Sequence, residues 1–238
     1  MQRSASILLL TLMAAAPSAQ AALVTWRASG TISQVVDPTG AFGGQIAAGS
    51  TFTLDYTFDT STLDGFAGPS WGSYVNAITS VSLAFAGSVG TLQHSFSSLG
   101  STGNISVNDG TPSGAMFLDT FNLQAMSPYQ ATGVRDNVTM NLYNSASTIA
   151  VGPFASDSMP SSPPDPLDFY LLRTFRWEEV FLSNGSVLNT SFVSGTVTSH
   201  SVSPVPLPAA VWLLLSGLGG LGMLSRGRNA LGVPGLNS

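Results

Sequence analysis

The chain has 238 residues, contains neither cysteine nor lysine, and carries 7 arginines against 12 acidic side chains, for a net charge of −5. The missing cysteines exclude disulfides, thiolate metal sites and thiol chemistry. The acidic balance argues against nucleic acid as a partner, because phosphate binding depends on clustered lysine and arginine. The sequence also contains no cofactor-binding motif, so no cofactor is predicted.

Residues 1–21 have the pattern of a secretory signal peptide. Arg3 supplies the positive charge, residues 7–16 form an apolar stretch, and Ala19 and Ala21 place small residues before a cleavage site. The apolar stretch is too short to cross a bilayer, which takes about 20 residues. We therefore expect a mature chain that begins at Ala22.

Residues 22–203 predict a single all-β domain, an antiparallel, jelly-roll-like β-sandwich. In residues 52–58 large apolar side chains alternate with threonine and aspartate, which indicates a strand with one buried and one solvated face. Glycine, asparagine and aspartate turns separate short apolar runs, and no interior segment has a helical period. The predicted strands are residues 24–35, 52–58, 77–86, 90–96, 103–107, 115–125, 137–143, 170–181 and 191–201.

Two further features bear on how these strands are arranged. The sequence Ser-Gly-Thr-Ile-Ser at 29–33 is echoed by Ser-Gly-Thr-Val-Thr at 194–198, which predicts that the first and last strands are neighbours in one sheet. Residues 159–166 contain four prolines and are predicted to form an extended surface loop, since proline lacks the N–H that a central strand needs.

The C-terminal segment, residues 204–228, predicts one transmembrane helix. Pro204 begins a stiff proline-rich spacer, and residues 209–225 contain no charge, which is close to the minimum length for a span. Arg226 and Arg228 then indicate the cytoplasmic side. Residues 229–238 form a short tail. An ordinary single-span anchor would account for these features equally well.

The spacer has the sequence Val205, Pro206, Leu207, Pro208, Ala209. Followed by an apolar run and a basic pair, it resembles the PEP-CTERM family of bacterial sorting signals, most closely the VPLPA-CTERM variant. The resemblance implies export, tethering to the inner membrane and processing by an exosortase. It also implies delivery to the cell surface or extracellular matrix, in association with exopolysaccharide. Leu207 stands where the original family motif has a glutamate.

An enzymatic alternative depends on Ser70, which occupies the nucleophile position of a literal G-x-S-x-G at residues 68–72, with His200 as a potential base. That motif exposes its serine at a sharp turn between a strand and a helix. No helix is predicted after Gly72, so we expect a non-enzymatic protein and keep a serine hydrolase as a remote alternative.

A binding module is the nearer alternative. Asp55, Asp59 and Asp64 are weak candidates for calcium ligands, because calcium takes carboxylate oxygens from strands and loops; exposed aspartates there are usually only solvated, and no metal site is assigned. Exposed aromatic rings could stack on sugars, although most aromatic residues fill the interior of a sandwich. The aromatic candidates are Trp26, Trp71, Tyr74 and Trp177.

The remaining titratable side chains show no catalytic pattern. Glu178 and Glu179 are adjacent and would point to opposite faces of a strand, so they cannot form a facing pair. Asp109 lies in an Asn-Asp-Gly turn. His94 and His200 have no neighbour at the spacing of metal ligands, and structural or surface roles are expected for both rather than a metal.

Overall fold

The computed structural model describes residues 23–66, 68, 70–87, 90–98, 102–110, 118–130, 133–145, 153–154, 156–183 and 186–203. The predicted signal peptide with Ala19 and Ala21, the sorting motif at 205–209, Arg226, Arg228 and the predicted transmembrane helix lie outside these residues. No helix in the described part of the chain is long and apolar enough to cross a membrane.

The described chain confirms the all-β prediction. Ten antiparallel strands form one sheet in the order β3-β6-β7-β8-β9-β10-β1-β2-β4-β5, and a short 3-10 helix spans Pro166–Asp168. Every predicted strand has a counterpart, and β3 is an additional one. The strands are β1 (Leu23–Val36), β2 (Thr51–Asp59), β3 (Trp71–Tyr74), β4 (Ile78–Gly87), β5 (Gly90–Ser97), β6 (Gly103–Asn108), β7 (Leu118–Met126), β8 (Val134–Ser145), β9 (Leu172–Ser183) and β10 (Ser186–Val202).

The sheet curls so that its two halves pack face to face as the layers of a sandwich do. Phe52 on β2 stacks on Phe175 of β9 with ring centroids 4.2 Å apart, and Phe85 on β4 stacks on Trp177 at 5.4 Å. The alternation predicted for residues 52–58 is observed, with every second side chain buried. Burial of these inward faces from water is the main force that holds the halves together.

The strand order differs from the predicted jelly-roll-like arrangement. Strands β6 to β10 follow one another in the sheet, and β1, β2, β4 and β5 continue from β10 on the other side. Only β3 interrupts this order. After β2 the chain crosses to the far edge of the sheet, where β3 pairs with β6, and then returns to form β4 beside β2. Short hairpin connections favour such pairing of successive strands.

The predicted pairing of the first and last strands is confirmed. Gly30 lies opposite Val197 and Ile32 lies opposite Gly195, next to irregularities in the register of β1 and β10. A Cβ atom on Gly30 would collide with the carbonyl oxygen of Thr196, and one on Gly195 would lie 2.5 Å from that of Thr31. The repeated Ser-Gly-Thr sequence therefore allows two backbones to approach closely.

The proline-rich segment is not a strand, as predicted. Asp165 accepts a hydrogen bond from the Leu167 N–H at 2.9 Å and so caps the 3-10 helix, and Phe169 after it is fully buried. This buried ring fixes the loop against the core.

Replacing Gly30 by alanine is expected to lower the free energy of unfolding by about 1–3 kcal/mol, because the added methyl group meets backbone that cannot rotate away. Urea denaturation of the two proteins measures the difference. Gly65→Ala is the matched control, since the nearest atom to its Cβ is the Ser73 carbonyl oxygen at an ordinary 3.4 Å. Equal stability of the two variants would contradict the close approach of β1 and β10.

Candidate functional site

Three side chains that can bind a metal converge where the edge strand β5 packs over β8 and β9 of the opposite half. They are His94 on β5, Asp136 on β8 and Glu179 on β9, and one ligand atom from each lies within 4.8 Å of the other two. Among the described residues this is the one such group of three. It is partly accessible from outside, since His94 and Glu179 are half-buried.

The strand register brings the two acids together. Asp136 and Glu179 are direct partners in the antiparallel pairing of β8 with β9. Alternation along β9 places Glu179 on the same face as the buried Trp177, whereas Glu178 points away and accepts hydrogen bonds from Arg176 and Asn137. The prediction that the two glutamates face opposite ways is thus confirmed.

The Asp136 carboxylate is only partly satisfied. The residue is 1% exposed, its Oδ1 accepts a hydrogen bond from Trp177 Nε1 at 3.2 Å, and its Oδ2 has no hydrogen-bond partner. His94 Nε2 lies 2.9 Å from Oδ1, at the distance of an ion pair.

The charges of the three groups affect one another. The neighbouring Asp136 carboxylate raises the pKa of His94, against the effect of burial. Burial raises the pKa of Asp136, but the His94 ring and the hydrogen bonds from Trp177 and Ser127 outweigh it, and the net pKa is lowered. Burial and the charge of Asp136 raise the pKa of Glu179. Asp136 thus favours the charged form of His94 and, together with burial, disfavours the charged form of Glu179.

A second layer of residues surrounds these three side chains. The His94 ring stacks on Trp177 with centroids 4.9 Å apart, and Phe42 packs against Trp177 at the same distance. Asp37 accepts hydrogen bonds from the Phe42 N–H at 3.0 Å and from Ser191 Oγ at 2.9 Å, and Ser191 is the partner of Glu179 in the pairing of β10 with β9.

The aspartates proposed from the sequence as calcium candidates do not converge. Asp55 on β2 forms a bidentate ion pair with Arg27, the residue opposite it on β1, and both N–O distances are 2.7 Å. Asp59 accepts hydrogen bonds from Ser61, and Asp64 accepts them from the Phe66 and Ser73 N–H groups. Each carboxylate holds a turn or a strand pair in place.

Ser70 and His200, the pair considered for a hydrolase, lie in different surroundings. Ser70 is followed directly by β3, where the motif requires a helix, and its carbonyl oxygen accepts the Asp109 N–H. Both ring nitrogens of His200 make hydrogen bonds. Nε2 lies 2.7 Å from the Tyr56 hydroxyl, and Nδ1 lies 3.1 Å from the Pro164 carbonyl oxygen. Because that carbonyl can only accept, Nδ1 carries the proton and Tyr56 donates to Nε2.

The aromatic candidates divide into core and surface. Trp26, Tyr74 and Trp177 are buried, whereas Trp71 is 48% exposed and packs against Phe66 with centroids 4.9 Å apart. Only Trp71 is therefore placed to meet a ligand from outside.

Sequence reasoning missed the His94 cluster because its members are far apart in the chain and meet only through strand pairing. One signal was present: Asp136 falls in phase with Val138, Met140 and Leu142, the buried side of β8. A charged residue in the buried phase of a strand indicates a partner or a ligand.

Comparisons with known proteins found no match: no family model, no curated protein and no solved structure is similar to this chain.

Acid is expected to destabilise the protein through His200. Burial lowers the pKa of His200 to about 4, below the value of 6.5 for an ordinary histidine, so the unfolded chain takes up the proton first. The stabilisation is complete above about pH 6.5 and is lost as the pH falls toward 4, by up to about 3 kcal/mol. Urea unfolding at a series of pH values measures this loss.

His200→Phe is the comparison for that series. It should be less stable than the original protein at pH 7, because the Tyr56 hydroxyl and the Pro164 carbonyl lose their partner, but its stability should change less between pH 6.5 and 4. The same pH dependence in both proteins would contradict the assignment. His94, whose pKa is raised, titrates above 6.5 and does not contribute to the loss below it.

Proposed function

We propose that the protein is an exported, non-enzymatic component of the cell surface or extracellular matrix, sorted through its C-terminal segment and associated with exopolysaccharide. The observation that carries the proposal is the motif at residues 205–209, followed by an uncharged run and the pair Arg226 and Arg228. An exosortase-type membrane enzyme is the partner that processes it. The tether holds the protein at the inner membrane before release.

The ends of the domain support this role. The Ser203 N–H donates to the Thr25 carbonyl oxygen at 2.9 Å, and Trp26 pairs with Val202. The chain therefore enters and leaves the domain at the same end of the sheet. This arrangement suits a body that is attached at one surface while the rest of the domain extends into its surroundings.

The solvated faces of the central strands also fit a hydrated matrix. Hydroxyl groups pair across neighbouring strands, with Ser29 Oγ 2.7 Å from Ser199 Oγ and Thr25 Oγ1 2.9 Å from Thr57 Oγ1. Such groups hydrogen-bond well to water and to sugar hydroxyls without adding charge. This supports an association with polysaccharide rather than with a charged polymer.

The sorting proposal predicts that released protein lacks the C-terminal segment. Intact-mass measurement of protein recovered from the cell surface should show a chain that ends near Pro208. Replacing both Pro206 and Pro208 by alanine should leave full-length protein in the membrane, with Pro234→Ala as the matched control. Full-length protein at the surface, or equal release of both variants, would contradict processing at this motif.

A carbohydrate-binding module is the second candidate, favoured by the exposed pair of Phe66 and Trp71. Asp64 fixes the position of this pair, because its Oδ1 accepts hydrogen bonds from the N–H groups of Phe66 and Ser73, which lie on the loop and on β3. The Gly65 N–H also donates to the Ser73 carbonyl oxygen at 2.8 Å. Rigid, exposed aromatic faces of this kind stack on sugar rings at little entropic cost.

If Trp71 contacts polysaccharide, Trp71→Ala should reduce retention of the protein on the exopolysaccharide of the source bacterium by about tenfold or more. Co-sedimentation with the purified polymer measures the retention. Tyr129→Ala is the matched control, since Tyr129 is also exposed but packs against Arg135 at another place on the surface. Equal loss in both variants, or none in either, would contradict a site at Trp71.

A further inference from the structure

We propose that His94, Asp136 and Glu179 form a binding site for one divalent transition-metal cation, and that Zn²⁺ is the ion that fits it best. The site uses no residue of the sorting motif and does not depend on the proposed function. It would join β5 to β8 and β9, which belong to opposite halves of the curled sheet.

The two carboxylates of the cluster oppose each other in the sheet. Asp136 and Glu179 face each other directly across β8 and β9. Like charges in this position destabilise a sheet unless something balances them. Among the described side chains, the acids Asp136 and Asp37 raise the pKa of Glu179 through their charge, and His94 is the cation that opposes them. A bound dication would neutralise the pair.

One buried ligand atom of the cluster, Asp136 Oδ2, has no hydrogen bond. Asp136 itself is 1% exposed, and its other oxygen, Oδ1, lies 2.9 Å from His94 Nε2. A buried carboxylate oxygen without a partner costs free energy, and such atoms are normally satisfied by protein, water or an ion.

The geometry and the ligand types favour zinc. Zinc lies about 2.0–2.2 Å from histidine nitrogen and carboxylate oxygen, so small side-chain rotations suffice for three atoms that already lie within 4.8 Å of one another. Calcium requires six to eight oxygen ligands and does not use imidazole. Three protein ligands leave one tetrahedral position for water.

The surrounding residues hold the ligands in orientation, as the outer shell of a metal site does. Trp177 donates its indole N–H to Asp136 and lays its ring against that of His94. Ser191, beside Glu179 on β10, is itself held by Asp37. The contacts of Trp177 make it a positioning residue.

A metal here would act as a cross-link in a chain that has no cysteine for disulfides. Among the described strands, β5 is the last at its edge of the sheet and pairs with β4 alone. Coordination of His94 would tie this edge to the opposite half, and the binding free energy would add to the stability of the folded state.

The test uses the full-length chain, purified in detergent with a tag that contains no histidine and freed of metal with a chelator. Titration calorimetry with Zn²⁺ should give one site per chain. Zinc at a hundredfold excess over its Kd should raise the melting temperature by about 5–10 °C. Ca²⁺ should produce no comparable shift. Absence of binding, or a larger shift with Ca²⁺, would overturn the proposal.

Variants locate the site. Glu179→Gln and His94→Gln should each weaken zinc binding at least tenfold, whereas Glu178→Gln, the neighbouring glutamate on the other face of β9, should bind as the original protein does. The metal-free melting temperature of Glu179→Gln should be equal or higher, because one of two opposed charges is removed, which separates loss of a ligand from loss of the fold. Equal zinc affinity in all three variants would overturn the assignment.

Discussion

The close approach of β1 and β10 is the constraint on which the rest of this structure depends. These strands join β6 to β10 on one side to β1, β2, β4 and β5 on the other, so a single sheet contains the first and the last strands of the domain. Gly30 and Gly195 permit the approach because any larger residue would meet a carbonyl oxygen of the partner strand. Without this junction the two halves would be separate sheets, each with an additional open edge.

Once the sheet is continuous, its curl decides which side chains meet. Trp26 of β1 packs with Phe121 of β7, and Phe85 of β4 packs with Trp177 of β9, although these residues are far apart in the chain. The same curl brings β5 over β8 and so places His94 beside Asp136. The apolar core and the candidate metal site therefore have one geometric origin.

The two histidines show how the environment gives one residue type opposite behaviour. His200 is enclosed by aromatic rings and bonded to a hydroxyl and a carbonyl, so burial lowers its pKa and keeps it neutral. His94 is less enclosed and lies beside a carboxylate, which raises its pKa. His200 therefore connects the proline-rich loop to the core, whereas His94 pairs with Asp136 across the two halves of the sheet.

Much of the fold was predictable from the sequence, and little of the site was. Alternation and turn residues predicted nine strands, and the repeated Ser-Gly-Thr sequence predicted the neighbours β1 and β10. The short β3 was missed because its four residues, with Gly72 among them, give no periodic signal. The export and sorting predictions depend on residues outside the described chain and stay predictions.

The sequence by itself determined that the body is all-β and which faces of its strands are apolar, because both follow from local alternation. Only the tertiary structure decided the strand order and the meeting of His94, Asp136 and Glu179, because strand pairing and curl are long-range events that residue spacing does not encode.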